Sequence, residues 1–106
     1  MVKLEGIDSG IQTISGLEMR DSNGSLVTRR KVLTEVYTAH CTPREGAMPS
    51  PTDRMADYDI LKRLGKAGDV EVSAGELGKI LKAVETQLQN IVMFGDVYPW
   101  ISNLKE

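Results

Sequence analysis

Residues 69–88, Asp-Val-Glu-Val-Ser-Ala-Gly-Glu-Leu-Gly-Lys-Ile-Leu-Lys-Ala-Val-Glu-Thr-Gln-Leu, hold the most regular pattern in the chain. Ser73 and Glu76 stand three apart, the spacing at which a serine hydroxyl and a glutamate carboxylate each accept a backbone N–H at a helix start. Leu77, Ile80, Leu81, Val84 and Leu88 then recur at helical spacing, so one stripe of this helix faces a core. Ahead of it, Asp69-Val70-Glu71-Val72 alternates polar and apolar. That period of two predicts a short extended link leading into the helix.

Working outward, three further helices follow from similar signals. Thr28 is placed to cap a helix from Arg29 to about His40, with Val32, Leu33, Val36 and Tyr37 on one face. A second helix is expected from Pro51-Thr52, capped by Thr52 or Asp53, to Gly65, with Met55, Tyr58, Ile60, Leu61 and Leu64 as its apolar side. The segment from Ile91 to Leu104 is apolar enough for a fourth, which Gly95 and Pro99 are expected to break or kink. Upstream, Asp21-Ser22-Asn23-Gly24 offers turn chemistry between Leu17/Met19 and Leu26/Val27, which predicts a β-hairpin. Ile11 and Ile14 belong to another extended piece, and no internal repeat is evident. The expected fold class is α+β, mainly helical, with an N-terminal β-hairpin packed on three or four helices.

The chain has 106 residues, 41% hydrophobic and 26% charged, with a net charge of −2. That length suits a single domain over 1–106: an extended part at 1–27, a helical part at 28–106 and a Pro-rich loop at 41–51. The composition excludes a disordered tail, and no apolar run is long enough to span a membrane. The start lacks the pattern of a signal peptide, and one cysteine fits a reducing cytoplasm. The slight negative charge demands neither a nucleic acid nor a membrane as partner.

Most chemistry-bearing motifs fail on inspection. A phosphate loop ending at Gly78-Lys79 requires glycine at position 73 and a hydroxyl residue at 80, where Ser73 and Ile80 stand. A calcium loop ending at Glu76 puts Gly65 and Ala67 at ligand positions and Val70 at the bend. A winged helix-turn-helix over 60–77 has too long a turn, and the helix after it lacks the arginines and lysines that contact phosphate. His40 and Cys41 are adjacent and lack an orienting third group, so no catalytic pair and no metal site is expected. The carboxylates are scattered, with no acid and base pair. No enzyme activity, metal or cofactor is therefore expected.

Two contact surfaces remain. Arg29, Arg30 and Lys31 form the basic cluster, at a helix start where the dipole prefers anions, which suggests an anionic partner. Phe94, Tyr98 and Trp100 are three of the five aromatics and close either the core or an interface with a partner or a second copy. The layout also resembles a group of small proteins encoded by tailed phages and prophages. The resemblance rests on residues 16–33 (Gly-Leu-Glu-Met-Arg-Asp-Ser-Asn-Gly-Ser-Leu-Val-Thr-Arg-Arg-Lys-Val-Leu), on 57–63 and on 71–77 through the apolar C-terminus, with 95–100 departing from that group. It implies a phage or prophage product acting in the bacterial cytoplasm, and it carries over no site residue. The expected function is a non-enzymatic interaction protein that binds a host or viral protein. The alternative is a nucleic-acid-associated regulator that uses 29–31.

Overall fold

The computed structural model describes residues 1–42 and 48–104. Its elements run β1 (Val2–Lys3), α1 (Arg29–Cys41), α2 (Pro51–Gly65), β2 (Glu71–Val72), α3 (Ala74–Gln87) and α4 (Ile91–Ser102). The fold is α+β and mainly helical. Each helix starts on a side-chain cap, which supplies an acceptor to otherwise orphaned N–H groups. Thr28 accepts from Lys31 N, Ser50 from Asp53 N, and Asn90 from Val92 N and Met93 N. At α3 both halves of the capping box form: Ser73 N donates to Glu76 Oε1 at 2.8 Å and Glu76 N to Ser73 Oγ at 3.1 Å. The cap of α2 is Ser50 and not Thr52 or Asp53, because Pro51 suits the first helical position, where no N–H is needed.

One hydrophobic cluster draws on every element. Val32, Leu33, Val36 and Tyr37 of α1 meet Ile60 and Leu64 of α2, Ile80, Ala83 and Val84 of α3, and Val97 and Ile101 of α4. Helix α1 lies against both α2 and α3, while α4 packs on α3. Strand β1 pairs antiparallel with β2, Val2 opposite Val72 and Lys3 opposite Glu71, and both valines enter the core. The extended link expected at 69–72 is thus one strand of the only two-stranded sheet among the described residues. Its partner comes from the chain start, nearly seventy residues away.

The segment 10–28 departs most from expectation. The turn at Asp21–Gly24 forms, with Arg20 opposite Leu26, but it is one corner of a closed triangle. Ile11 N donates to Val27 O (2.9 Å), Val27 N to Met19 O (2.9 Å) and Met19 N to Ile11 O (2.7 Å). These three residues are eight apart, and the corners between them repeat. Thr13 N donates to Leu17 O as Asp21 N does to Ser25 O, and Gly16 N donates to Thr13 O as Gly24 N does to Asp21 O. The side chains of Thr13 and Asp21 accept from Leu17 N and Ser25 N. Gly16 and Gly24 sit at φ +86° and +81°, where a Cβ is disfavoured.

This chain therefore has an internal octapeptide repeat where none was expected. Little but backbone geometry is shared between the copies, so residue identity hides it. Chain entry and exit make the third corner, where Arg29 N donates to Ser9 O at 3.1 Å and α1 begins. Ile11 and Val27 point into the core, and the triangle caps the start of α1.

Two expectations for the helices fail. Met55 and Tyr58, assigned to the apolar side of α2, are exposed, because only the Ile60/Leu64 side meets α1 and the core. Helix α4 runs unbroken through Gly95 and Pro99, so the expected break is absent. Proline's missing N–H leaves a carbonyl one turn earlier unpaired within the helix; Gly95 there is exposed, so water can satisfy it. The proline-rich loop at 41–51 lies partly outside the described residues. No helix among them is long and apolar enough to cross a membrane.

Candidate interaction surface

The sequence singled out two clusters far apart in the chain, and the structure brings them together. Arg29 at the start of α1 donates from Nε to Asp96 Oδ1 of α4 at 2.8 Å. Its guanidinium lies over the Trp100 ring, 4.9 Å from the centroid. Trp100 Nε1 in turn donates to the Glu5 carbonyl at 2.7 Å. Trp100 is thus an internal anchor: its apolar body sits against the core edge, its N–H is satisfied by β1's exit and its face holds a cation.

The rest of the basic cluster is also engaged internally. Arg30, whose side chain is only 13% exposed, donates to both carboxylate oxygens of Asp8 and to the carbonyls of Leu64, Lys66 and Gly68. Lys31 pairs with Asp21. The anions that the helix dipole calls for come from this chain's own Asp96, Asp8 and Asp21. This corrects the expectation of an outward basic patch: at 29–31 the cations face acceptors of the same molecule, because the triangle and α4 fold over that helix end.

Phe94 and Tyr98 behave differently. Their rings stack, centroids 4.9 Å apart and planes 10° off parallel, and both are half-buried at the core edge. Ile91, one turn before Phe94, is 79% exposed. Positions 91, 94 and 98 recur at i, i+3 and i+7 and so share a strip, which borders the buried Val97 and Ile101 on its core-facing side. The only charged residue of α4, Asp96, is engaged by Arg29. The strip runs from the exposed Ile91 to Phe94 and Tyr98 at the core edge, with no charge of its own.

A second polar group of the described residues gathers around Asp57. Tyr37, buried in the core, donates its hydroxyl to Asp57 Oδ1 at 2.8 Å, and burial followed by that bond raises its pKa. The same environment pushes the Cys41 thiol up to about 11, through burial and then the Asp57 charge. That is opposite to the shift an activated thiolate needs. Lys79 Nζ lies 4.0 Å from Asp57, and His40 stands against Tyr37, ring centroids 6.1 Å apart. No cluster of three or more metal-ligating side chains occurs among the described residues.

Sequence reasoning missed the exposed aliphatic pair Ile14 and Leu17 and an apolar hollow beside α3. Only Ile14's apolar character at a turn could have pointed to the first. No protein-family model matches this chain, and neither a curated protein nor a solved structure shows significant similarity to it.

Proposed function

We propose that this chain is a non-enzymatic interaction protein that docks on another protein through the Ile91–Phe94–Tyr98 row of α4. The observation that carries the reading is that row: three large side chains on one helical strip without charge, two stacked at the core edge and the third exposed. A helix face of this kind suits a hydrophobic groove, read through anchors at i, i+3 and i+7. Stacked aromatics held at the core edge lose little conformational freedom on binding, which favours them as hot spots. With the phage-like layout, the reading extends to a phage or prophage product working in the bacterial cytoplasm on a host or viral protein. The nucleic-acid alternative loses its support, since the cations at 29–31 are paired internally.

The test is affinity capture of the tagged chain from bacterial lysate with and without nuclease, beside the Tyr98→Ala variant. A stoichiometric protein that survives nuclease and binds Tyr98→Ala about thirtyfold more weakly supports the reading, the loss expected for an aromatic hot spot worth about 2 kcal/mol. Capture that disappears with nuclease, or that is indifferent to Tyr98, overturns it. Circular dichroism of the variant checks that α4 is retained.

A further inference from the structure

The octapeptide repeat contains its own control. Both corners of the triangle are closed by the same bonds, yet the second has Ser22 and Ser25 where the first has Ile14 and Leu17. The corner geometry therefore needs neither apolar group. Ile14 is nevertheless 88% exposed and Leu17 69% exposed, so the chain does not bury them on itself. The turn beneath them is tied by Thr13 and Ser15, whose hydroxyls lie 3.0 Å apart. A tip already ordered in this way gives up little conformational entropy on docking.

A receptor of matching character exists on the same chain. Between the first half of α3 and the end of α4 lies an open apolar hollow of about 430 Å³, lined by Val2, Leu77, Gly78, Leu81 and Leu104. No atom stands within 4 Å of where a Gly78 Cβ would project, so an incoming side chain can reach the helix backbone. One turn beyond the lining, Lys82 follows Gly78 and Glu85 follows Leu81, so the rim carries both signs, and Lys82 makes no ion pair among the described residues. On the knob side, Glu18 follows Leu17 directly, and its pair with Arg20 is solvent-exposed and readily exchanged. Glu18 beside the apolar knob is attracted to the Lys82 edge of the hollow and repelled from the Glu85 edge, which sets the direction of entry.

We propose that the 13–17 corner of one copy inserts Ile14 and Leu17 into the Leu77–Leu81–Leu104 hollow of a second copy, with Glu18 facing Lys82. Donor and acceptor surfaces differ, so the contact closes as a twofold dimer where insertion is reciprocal and otherwise propagates into a ring or an open chain. It is independent of the α4 row, which stays free for another protein.

Sedimentation velocity across a wide concentration range tests this with two variants. Ile14→Ser with Leu17→Ser copies the second corner and keeps its bonding. Gly78→Glu fills the hollow and sets an acid against Glu18. Wild-type protein is expected to form a dimer or a larger assembly, each variant alone to stay monomeric with unchanged circular dichroism, and an equimolar mixture to form one 1:1 heterodimer and nothing larger. Wild-type protein that stays monomeric overturns the proposal. So does a corner variant that associates as wild type, or a mixture that forms no heterodimer. Binding of wild type, and not of the corner variant, to neutral phosphatidylcholine vesicles without self-association assigns the knob to lipid and also overturns it.

Discussion

Arg30 shows how one side chain orders a stretch that has little regular structure of its own. Its fork reaches Asp8 on one side and three carbonyls between α2 and β2 on the other. Those carbonyls sit where α2 ends, so the guanidinium completes the helix C-terminus from another part of the chain. Arg30→Ala leaves them without this donor and frees the 64–69 connection. It is expected to lower stability by about 2–3 kcal/mol in urea unfolding, on the scale of hydrogen bonds to charged groups. Arg30→Lys should recover only a fraction, since an ammonium cannot fan out to several planar acceptors. Equal stability of all three proteins would show that the connection is held by something else.

At the scale of elements, α4 tolerates two residues usually hostile to helices. Pro99 is accommodated because Gly95, one turn earlier, is exposed; its own carbonyl accepts from Ser102 Oγ and Asn103 Nδ2. Gly95 has nothing within 4 Å of its missing Cβ and no positive φ. Gly95→Ala should therefore stabilise the protein by about 0.5–1 kcal/mol, by removing conformational freedom from the unfolded chain and improving helix propensity. A rise in thermal midpoint checks this. A fall would mean that the outward face of α4 is more crowded than its geometry allows.

Across the whole molecule, acid–base pairs stitch different elements together. Lys3 meets Asp69, Arg30 meets Asp8, Arg29 meets Asp96, and Arg63 meets Glu76 while also pairing with Asp59 one turn back in its own helix. The Arg63 guanidinium, with help from Ser73, depresses the Glu76 carboxyl from the usual 4.5 to about 2. Asp8 and Asp21 are lowered in the same direction, chiefly by hydrogen bonds from Arg30 and Lys31. A carboxylate depressed by folding contributes stability above its unfolded value and loses it as pH falls through the folded one. Stability should therefore decline from about pH 5 to pH 2. Glu76→Gln is expected to cost ~1–2 kcal/mol at pH 7, allowing for solvent screening, and to flatten that decline. Urea midpoints measured across this range read both effects; a variant with the wild-type slope would place the acid sensitivity elsewhere.

Short-range chemistry was legible in the chain before any folding. The Ser73/Glu76 box, the Thr28 cap, the 3.6-residue stripes of α1 and α3 and the Asp21–Gly24 turn all act within a few residues, and each formed where its signal stands. Tertiary structure alone decided the rest. Pairing of Val2 with Val72 and closure of the 11–19–27 triangle depend on backbone groups that carry no residue signature. At the candidate surfaces the same distinction holds. Phe94 and Tyr98 were legible as aromatics at helical spacing, but whether Trp100 faced out or bonded Glu5 depended on a partner ninety-five residues away. The charges at 29–31 were visible too, yet their acceptors lie on three other segments, so only folding turned an apparent basic patch into three internal ion pairs.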